Sequence, residues 1–193
     1  MLPPAHRVTF SASCCERLLP NYEGFSLKEA WGDYNFLRKT LDKIWEFAAA
    51  DVAILEAVPF LRKRCEALAP DTEDFSSVLT SPALDAVSAL VETLDCCITG
   101  SAESSVRAAT SAHDTIYMYI QSRDHLEYDN LDFEQEIYGD PLMIEEMEAQ
   151  RSDIDILRSN SLITPQLLQA IRQSSAIKGL QPVFDGRLRE EFK

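Results

Sequence analysis

Residues 81–100 read SPALDAVSALVETLDCCITG, and they carry the pattern that decides the fold. Ser81-Pro82 indicates a helix start, because the serine oxygen can cap a free backbone N–H and proline at the first helical position loses no hydrogen bond. Gly100 suits the left-handed residue that often follows the end of a helix. The apolar residues between these signals recur every three or four positions, which predicts a helix over about 82–99: Leu84, Val87, Leu90 or Val91, Leu94 and Ile98.

The same signals recur elsewhere. Asp140-Pro141 and Thr164-Pro165 repeat the start signal. One apolar stripe predicts a helix in which Trp45 is buried: Leu37, Leu41, Ile44, Trp45 and Ala48. Another steps by three and four along a predicted helix over 101–123: Ala102, Val106, Ala109, His113, Ile116 and Ile120.

Further boundaries follow from proline and from capping residues. We predict a first helix from about Arg7 to Leu19, ended by Pro20, and a short helix near 26–31 that begins with a Ser26 and Glu29 capping box. The remaining predictions are helices over about 33–50, 141–158 and 165–178, and a helical span over 51–69 in two pieces, the second beginning at Pro59. Residues 183–188 give a short, weak hairpin signal.

The expected fold is therefore all-α, one bundle-like domain of about six to eight helices over residues 1–193, with an irregular tail from about 180 to 193. No apolar run has membrane-spanning length, and the first seven residues lack the apolar stretch of a signal peptide. Four of the five cysteines are adjacent pairs, Cys14-Cys15 and Cys96-Cys97, which suit reduced thiols better than disulfides. We expect a cytoplasmic protein.

Acidic residues are concentrated in residues 124–155. This stretch holds twelve Asp and Glu residues against one Arg, Arg151, a net charge of −11 out of −14 for the chain. With a sequence pI near 4.6, the charge argues against binding to nucleic acid or to an anionic membrane and favours a cationic partner. The predicted partner-binding acidic face comprises five residues of the helix after Asp140-Pro141: Glu145, Glu146, Glu148, Asp153 and Asp155.

A motif near the N-terminus resembles a known family. Residues 10–22 read FSASCCERLLPNY, and residues 37–46 read LRKTLDKIWE. This pattern is similar to the YjaG-like family of bacterial proteins, domain-of-unknown-function family 416. Residues 81–86 match the family's pattern too, and residues 140–171 match it more loosely. The resemblance implies an all-α cytosolic bacterial protein, and it brings no activity, cofactor or catalytic residue.

Glu16 and Arg17 are the most conspicuous polar pair, because both lie beside the apolar stripe of Phe10, Cys14 and Leu18. Arg17 could clamp a carboxylate or phosphate in a pocket, or it could form an internal ion pair with Asp42 or Asp85. The candidate polar cluster is defined by six residues: Glu16, Arg17, Asn21, Tyr22, Asp85 and His113. We expect the structural interpretation for Arg17, a hydrogen bond for Tyr22 and a hydrogen-bonded core position for His113.

The sequence contains no recognised metal or cofactor motif. Glu is absent three residues before His113 and His125, where a di-iron bundle site would need it, and there is no phosphate-cradling glycine loop. We predict no cofactor and no tightly bound transition metal, and an acid-only Mg²⁺ or Mn²⁺ site remains an alternative.

Two classes of function follow. The favoured one is a non-catalytic binding or regulatory protein whose acidic face engages a basic protein, with an immunity-type inhibitor of a basic toxin as a special case. The alternative is a small enzyme with a polar or carboxylate–metal site among the N-terminal helix motif and neighbouring helices.

Overall fold

The computed structural model describes residues 2–49, 54–127 and 131–177. In these ranges the chain forms eight helices and no strand, which confirms the all-α prediction. The helices are α1 Pro4–Glu29, α2 Tyr34–Ala48, α3 Ile54–Glu66, α4 Thr80–Thr99, α5 Ala102–Asp124, α6 Phe133–Gly139, α7 Pro141–Ser159 and α8 Pro165–Ile177. The hairpin predicted at 183–188 and the tail from 180 lie outside the described residues.

Helix α1 is the centre of the assembly, because α2, α4, α5, α7 and α8 all pack against it. Every residue from Val8 to Leu19 is buried, so this part of α1 is enclosed on all sides rather than along one stripe. A helix surrounded in this way takes its stability from packing more than from intrinsic propensity. The other helices form layers around it, with α3 packed on α4 and α6 packed on α5 and α7.

Proline does not end the first helix. Pro20 lies inside α1, and the predicted break there and the separate short helix at 26–31 are both wrong. Proline removes one backbone donor, and burial of Tyr22 and Phe25 beyond it holds the following turns in place. Pro59 likewise lies inside α3 and does not begin a second helical piece.

Two of the three predicted start signals act as caps. The Asp140 carboxylate accepts a hydrogen bond from the Leu142 N–H, and the Thr164 hydroxyl accepts one from the Leu167 N–H. Ser81 does not cap α4, which begins at Thr80. The helix begins one residue before the predicted cap, so Ser81 and Pro82 lie inside its first turn, and no side chain caps α4.

The buried face of α5 differs from the predicted stripe. Val106 and Ala102 are exposed, whereas Ser105, Ala108 and Ala112 are buried. Small residues allow helices to pack closely, and buried serine hydroxyls can form hydrogen bonds. A search for large apolar residues does not detect a buried face of this kind. Ile98 on α4 is exposed as well.

One helix was not predicted. Helix α6 has seven residues, and acidic residues surround its two buried apolar positions, Phe133 and Ile137. Two apolar residues four apart are too weak a periodic signal to separate a short helix from a loop.

No helix in the described ranges is both long and apolar enough to span a membrane.

The close contact at the end of α4 leads to a stability prediction. Gly100 has a φ of +61°, and a Cβ atom there would lie 2.9 Å from Pro4 Cβ. We expect Gly100→Ala to lower the free energy of unfolding by about 1–3 kcal/mol, because both the left-handed backbone and the contact oppose a side chain. Chemical denaturation measures this effect. Gly139→Ala is the matched control, since a Cβ there meets no atom within 4 Å, and equal stability of the two variants would contradict the prediction.

Candidate functional site

Glu16 and Arg17 lie at the midpoint of α1, within its enclosed part. Adjacent residues of a helix point about 100° apart, so their side chains reach different neighbours. Both are buried, with side-chain exposures of 5% for Glu16 and 1% for Arg17. Each charge therefore needs partners supplied by other helices.

Arg17 binds two carboxylates of α7. Its Nε and Nη2 donate to Glu146 Oε2 and Oε1 at 2.8 and 3.0 Å, and its Nη1 donates to Asp153 Oδ2 at 3.0 Å. The Ser13 hydroxyl also donates to Asp153 Oδ2, at 2.7 Å, and Gln150 Nε2 donates to Glu146 Oε1 at 2.9 Å. The predicted ion pair is confirmed, and the proposed partners Asp42 and Asp85 are wrong.

Glu16 has a second set of partners on the other side of α1. Arg38 of α2 forms a two-pronged contact, with Nη1 2.6 Å from Glu16 Oε2 and Nη2 2.8 Å from Oε1. Trp45 Nε1 and Arg172 Nε, from α2 and α8, each donate to Oε1 at 2.8 Å. Arg172 and Arg38 both pair with Asp42 as well. Glu16 thus joins α1 to α2 and α8, and the predicted burial of Trp45 is confirmed.

Burial and charge have opposite effects on Arg17. Burial opposes the charged guanidinium, but the negative charges beside it outweigh that effect, and the pKa of Arg17 is raised above its ordinary value. The nearby Cys14 thiol lies 3.4 Å from Arg17 Nη2, and burial raises the pKa of Cys14 to about 12. Burial also raises the pKa values of the other four cysteines, so at neutral pH these side chains are thiols rather than reactive thiolates.

The other members of the candidate polar cluster point elsewhere. Tyr22 Oη donates to the Leu68 carbonyl at 2.9 Å, as a structural hydrogen bond. Asn21 is buried, and neither its Oδ1 nor its Nδ2 has a partner among the described residues. Asp85 of α4 accepts from the Thr115 hydroxyl of α5 at 2.7 Å.

His113 is not the core residue that the sequence predicted. It is partly exposed, its Nδ1 is 3.0 Å from Asp114 Oδ1, and its ring lies beside Tyr117 and Tyr138. The six candidate residues therefore do not converge on one pocket. In the described ranges no three His, Cys, Asp or Glu residues are grouped so that they could hold a metal ion.

Helix α7 separates its acidic residues into two sets. Glu146 and Asp153 are buried against Arg17, so they are not part of an exposed face, contrary to the prediction. Glu145, Glu148 and Asp155 are exposed, and we call these three carboxylates the acidic surface. Residues 143, 146, 150, 153 and 157 share one side of the helix. Glu146 and Asp153 could have been recognised as inward-facing from this spacing, because Met143 and Leu157 occupy the same stripe.

Sequence reasoning also missed Arg38 and Arg172 as site residues. Arg38 follows the apolar Leu37 by one position, and Arg172 follows Ile171, so both lie at the edge of a buried stripe. That position lets a long side chain reach inwards to a buried acid, but the sequence does not identify which acid it meets.

Comparison with known proteins decides the family. The model of the family described as "Protein of unknown function (DUF416)" matches residues 1–181. The chain belongs to the DUF416 family. The matching region contains Glu16, Arg17 and both carboxylates that bind Arg17, which confirms the resemblance seen in residues 10–22.

Individual members of the family are similar to this DUF416 chain in sequence and in structure. It is 35% identical over 112 residues to the uncharacterized protein YjaG of Escherichia coli K12, an alignment that covers 58% of this chain and 57% of that protein. An uncharacterized protein of Haemophilus influenzae is 30% identical over 117 residues, which cover 60% and 59% of the two chains. The crystal structure of a DUF416 family protein from Shewanella baltica OS155 superimposes with a TM-score of 0.84 at 26% identity, covering 91% of this chain and 89% of that one.

Removing the Arg17 charge tests the first network. We expect Arg17→Met to lower the free energy of unfolding of this DUF416 protein by about 3–5 kcal/mol, because it leaves Glu146 and Asp153 buried without their cation. Adding Glu146→Gln and Asp153→Asn should restore at least half of that loss. Denaturant titration measures both effects. Arg158→Met, on an exposed residue of α7, is the control. Unchanged stability of Arg17→Met would contradict the role assigned to Arg17.

Asp85 makes a pH-dependent contribution. Burial raises its pKa from 3.8 to about 6, so the folded protein binds this proton more tightly than the unfolded chain between those values. Stability should therefore fall as the pH rises through this window. We expect Asp85→Asn to raise the free energy of unfolding by about 1–2 kcal/mol at pH 7, an advantage that disappears below about pH 4. Denaturation at several pH values checks this, and the exposed-loop variant Asp74→Asn should show no such change.

Proposed function

We propose that this DUF416 protein is a non-catalytic binding or regulatory protein whose acidic surface engages a basic protein partner. One observation carries the proposal: α7 turns Glu146 and Asp153 inwards to Arg17 and keeps Glu145, Glu148 and Asp155 in solvent. The buried pair, Glu146 and Asp153, supplies the carboxylates that neutralise Arg17. Among the described residues, the exposed carboxylates make no comparable ion pair, apart from a 3.9 Å approach of Arg158 to Asp155.

Glu145 and Glu148 are three residues apart on α7, a spacing at which like charges destabilise a helix by about 0.2–0.5 kcal/mol per pair. The exposed Arg151, three residues after Glu148 and four before Asp155, partly offsets this repulsion. A negative patch of this kind attracts basic proteins and accelerates their association at low ionic strength.

The surroundings of Glu16 and Arg17 also favour a binding function over catalysis. Glu16 and Arg17 are fully engaged by charged and hydrogen-bonding partners from three helices, and Cys14 beside them is a neutral thiol. A catalytic acid, base or nucleophile would need access to a substrate, which buried and saturated groups do not offer. An immunity-type inhibitor, which neutralises a basic toxin, is one form that the proposed binding function would take.

Neutralising the acidic surface tests the proposal. The triple variant Glu145→Gln, Glu148→Gln and Asp155→Asn and the parent protein are immobilised and exposed to an extract of the protein's own cells. Bound proteins are identified by mass spectrometry at low and at moderate salt. We expect basic proteins on the parent, weaker binding above about 0.15 M salt, where the Debye length is about 8 Å, and loss of these proteins from the triple variant.

A charge-matched control separates a local surface from net charge. Glu46, Glu56 and Glu73 are exposed acids on α2, on α3 and in the loop before α4. Replacing all three with Gln changes the net charge equally and should leave capture intact. Retention of every basic partner by the triple variant of α7 would show that the acidic surface is only solvated.

A further inference from the structure

The acidic surface has exposed apolar neighbours. Tyr138 at the end of α6 and Ile144 and Met147 on α7 are 43%, 42% and 44% exposed. Glu145 follows Ile144 in the sequence, and Glu148 follows Met147. We call Tyr138, Ile144 and Met147 the apolar patch. Scattered exposed apolar residues are ordinary, but three that are close together on one surface are typical of an interaction site.

Contacts with α5 bring the members of the patch together. The His113 ring of α5 lies 5.8 Å from the Tyr138 ring, centroid to centroid. Further along the helices, Gln150 Nε2 of α7 donates to the Ala109 carbonyl of α5 at 3.1 Å. His113 is one turn after Ala109, and Met147 is about one turn before Gln150.

The direction of the helices completes this geometry. Helix α7 runs antiparallel to α1, since His6 meets Asn160 and Arg17 meets Glu146. Helix α5 runs parallel to α1, because each of them is antiparallel to α4. Helices α5 and α7 are therefore antiparallel, which places Met147 level with His113, the residue whose ring meets Tyr138.

The charges around the patch indicate what it can accept. Glu145 and Glu148 border it on α7, Asp114 is exposed next to His113, and the exposed Arg151 lies one turn after Met147, so three acids and one base surround the patch. Anionic membranes and nucleic acids are repelled by such a border, whereas a basic chain is attracted. Methionine adapts its shape to different apolar partners, and a tyrosine ring face attracts Lys and Arg.

We propose that the apolar patch and the acidic surface together bind an amphipathic basic helix of a partner protein. This inference rests on the proposed function and names the partner's chemistry. The partner's apolar stripe packs on Tyr138, Ile144 and Met147, and its Lys and Arg side chains pair with Glu145 and Glu148. A helix presents these two kinds of side chain on adjacent sides, as this surface requires.

Two synthetic peptides of the same Lys and Leu composition, each of about 18 residues or five helical turns, test the inference. One has Leu at helical spacing, and the other has the same residues in scrambled order. Fluorescence anisotropy at low salt measures binding of each peptide to the whole protein. We expect the amphipathic peptide to bind at least about tenfold more tightly than the scrambled one. The double variant Ile144→Gln and Met147→Gln should remove that difference while retaining weak, salt-sensitive binding of both.

The control is Phe60→Gln, which removes a large exposed apolar side chain from α3 and should change neither affinity. Equal binding of the two peptides to the parent protein would overturn the amphipathic inference while leaving the proposed function in place. An equal loss of affinity in Phe60→Gln would also overturn it, because the effect would not be local. Failure of both peptides to bind would overturn the inference and the proposed function together.

Discussion

Helix α1 carries two opposite charges at its midpoint, inside the part that is enclosed on every side, and both must be neutralised away from bulk water. Glu16 and Arg17 are neighbours in sequence, but they do not neutralise each other, because adjacent helical side chains diverge. Arg17 takes its partners from α7, and Glu16 takes its partners from α2 and α8. Removing all the partners of either residue would leave an unpaired buried charge, which is far more costly than losing an exposed ion pair. The positions of three outer helices are thus tied to two residues of α1.

This arrangement explains why acidic residues of the same helix serve different purposes. On α7, the acidic residues on the same side as Met143 and Leu157 bind Arg17. The acidic residues on the other side of the helix are exposed to water. The exposed set, with its apolar neighbours, is the surface that we propose binds a partner. The proposed function therefore depends on helix geometry. Successive residues of a helix point about 100° apart, so carboxylates of the same helix face either Arg17 or solvent.

Much of the fold could be predicted from the sequence because its signals are local. Helical spacing identified seven of the helical regions in some form, and the caps at Asp140 and Thr164 lie where a side-chain oxygen precedes proline. The failures arose where tertiary contacts override a local rule. Pro20 is tolerated because the turns after it are buried, and Ser81 is not a cap because α4 already begins at Thr80. Helix α6 was not predicted, because two apolar residues are too few to show a helical period.

The candidate site could be predicted only in part, for the same physical reason. The sequence by itself determined that the protein is all-helical, that Trp45 is buried, and that Glu16 or Arg17 has to be paired, since each of these depends on spacing within one helix. Only the tertiary structure decided that Arg17 meets Glu146 and Asp153, that Glu16 meets Arg38 and Arg172, and that Asp85 and His113 lie apart from them. Those pairs join residues 22 to 156 positions apart. Partner choice at that distance depends on how whole helices pack, and periodicity within a helix contains no information about it.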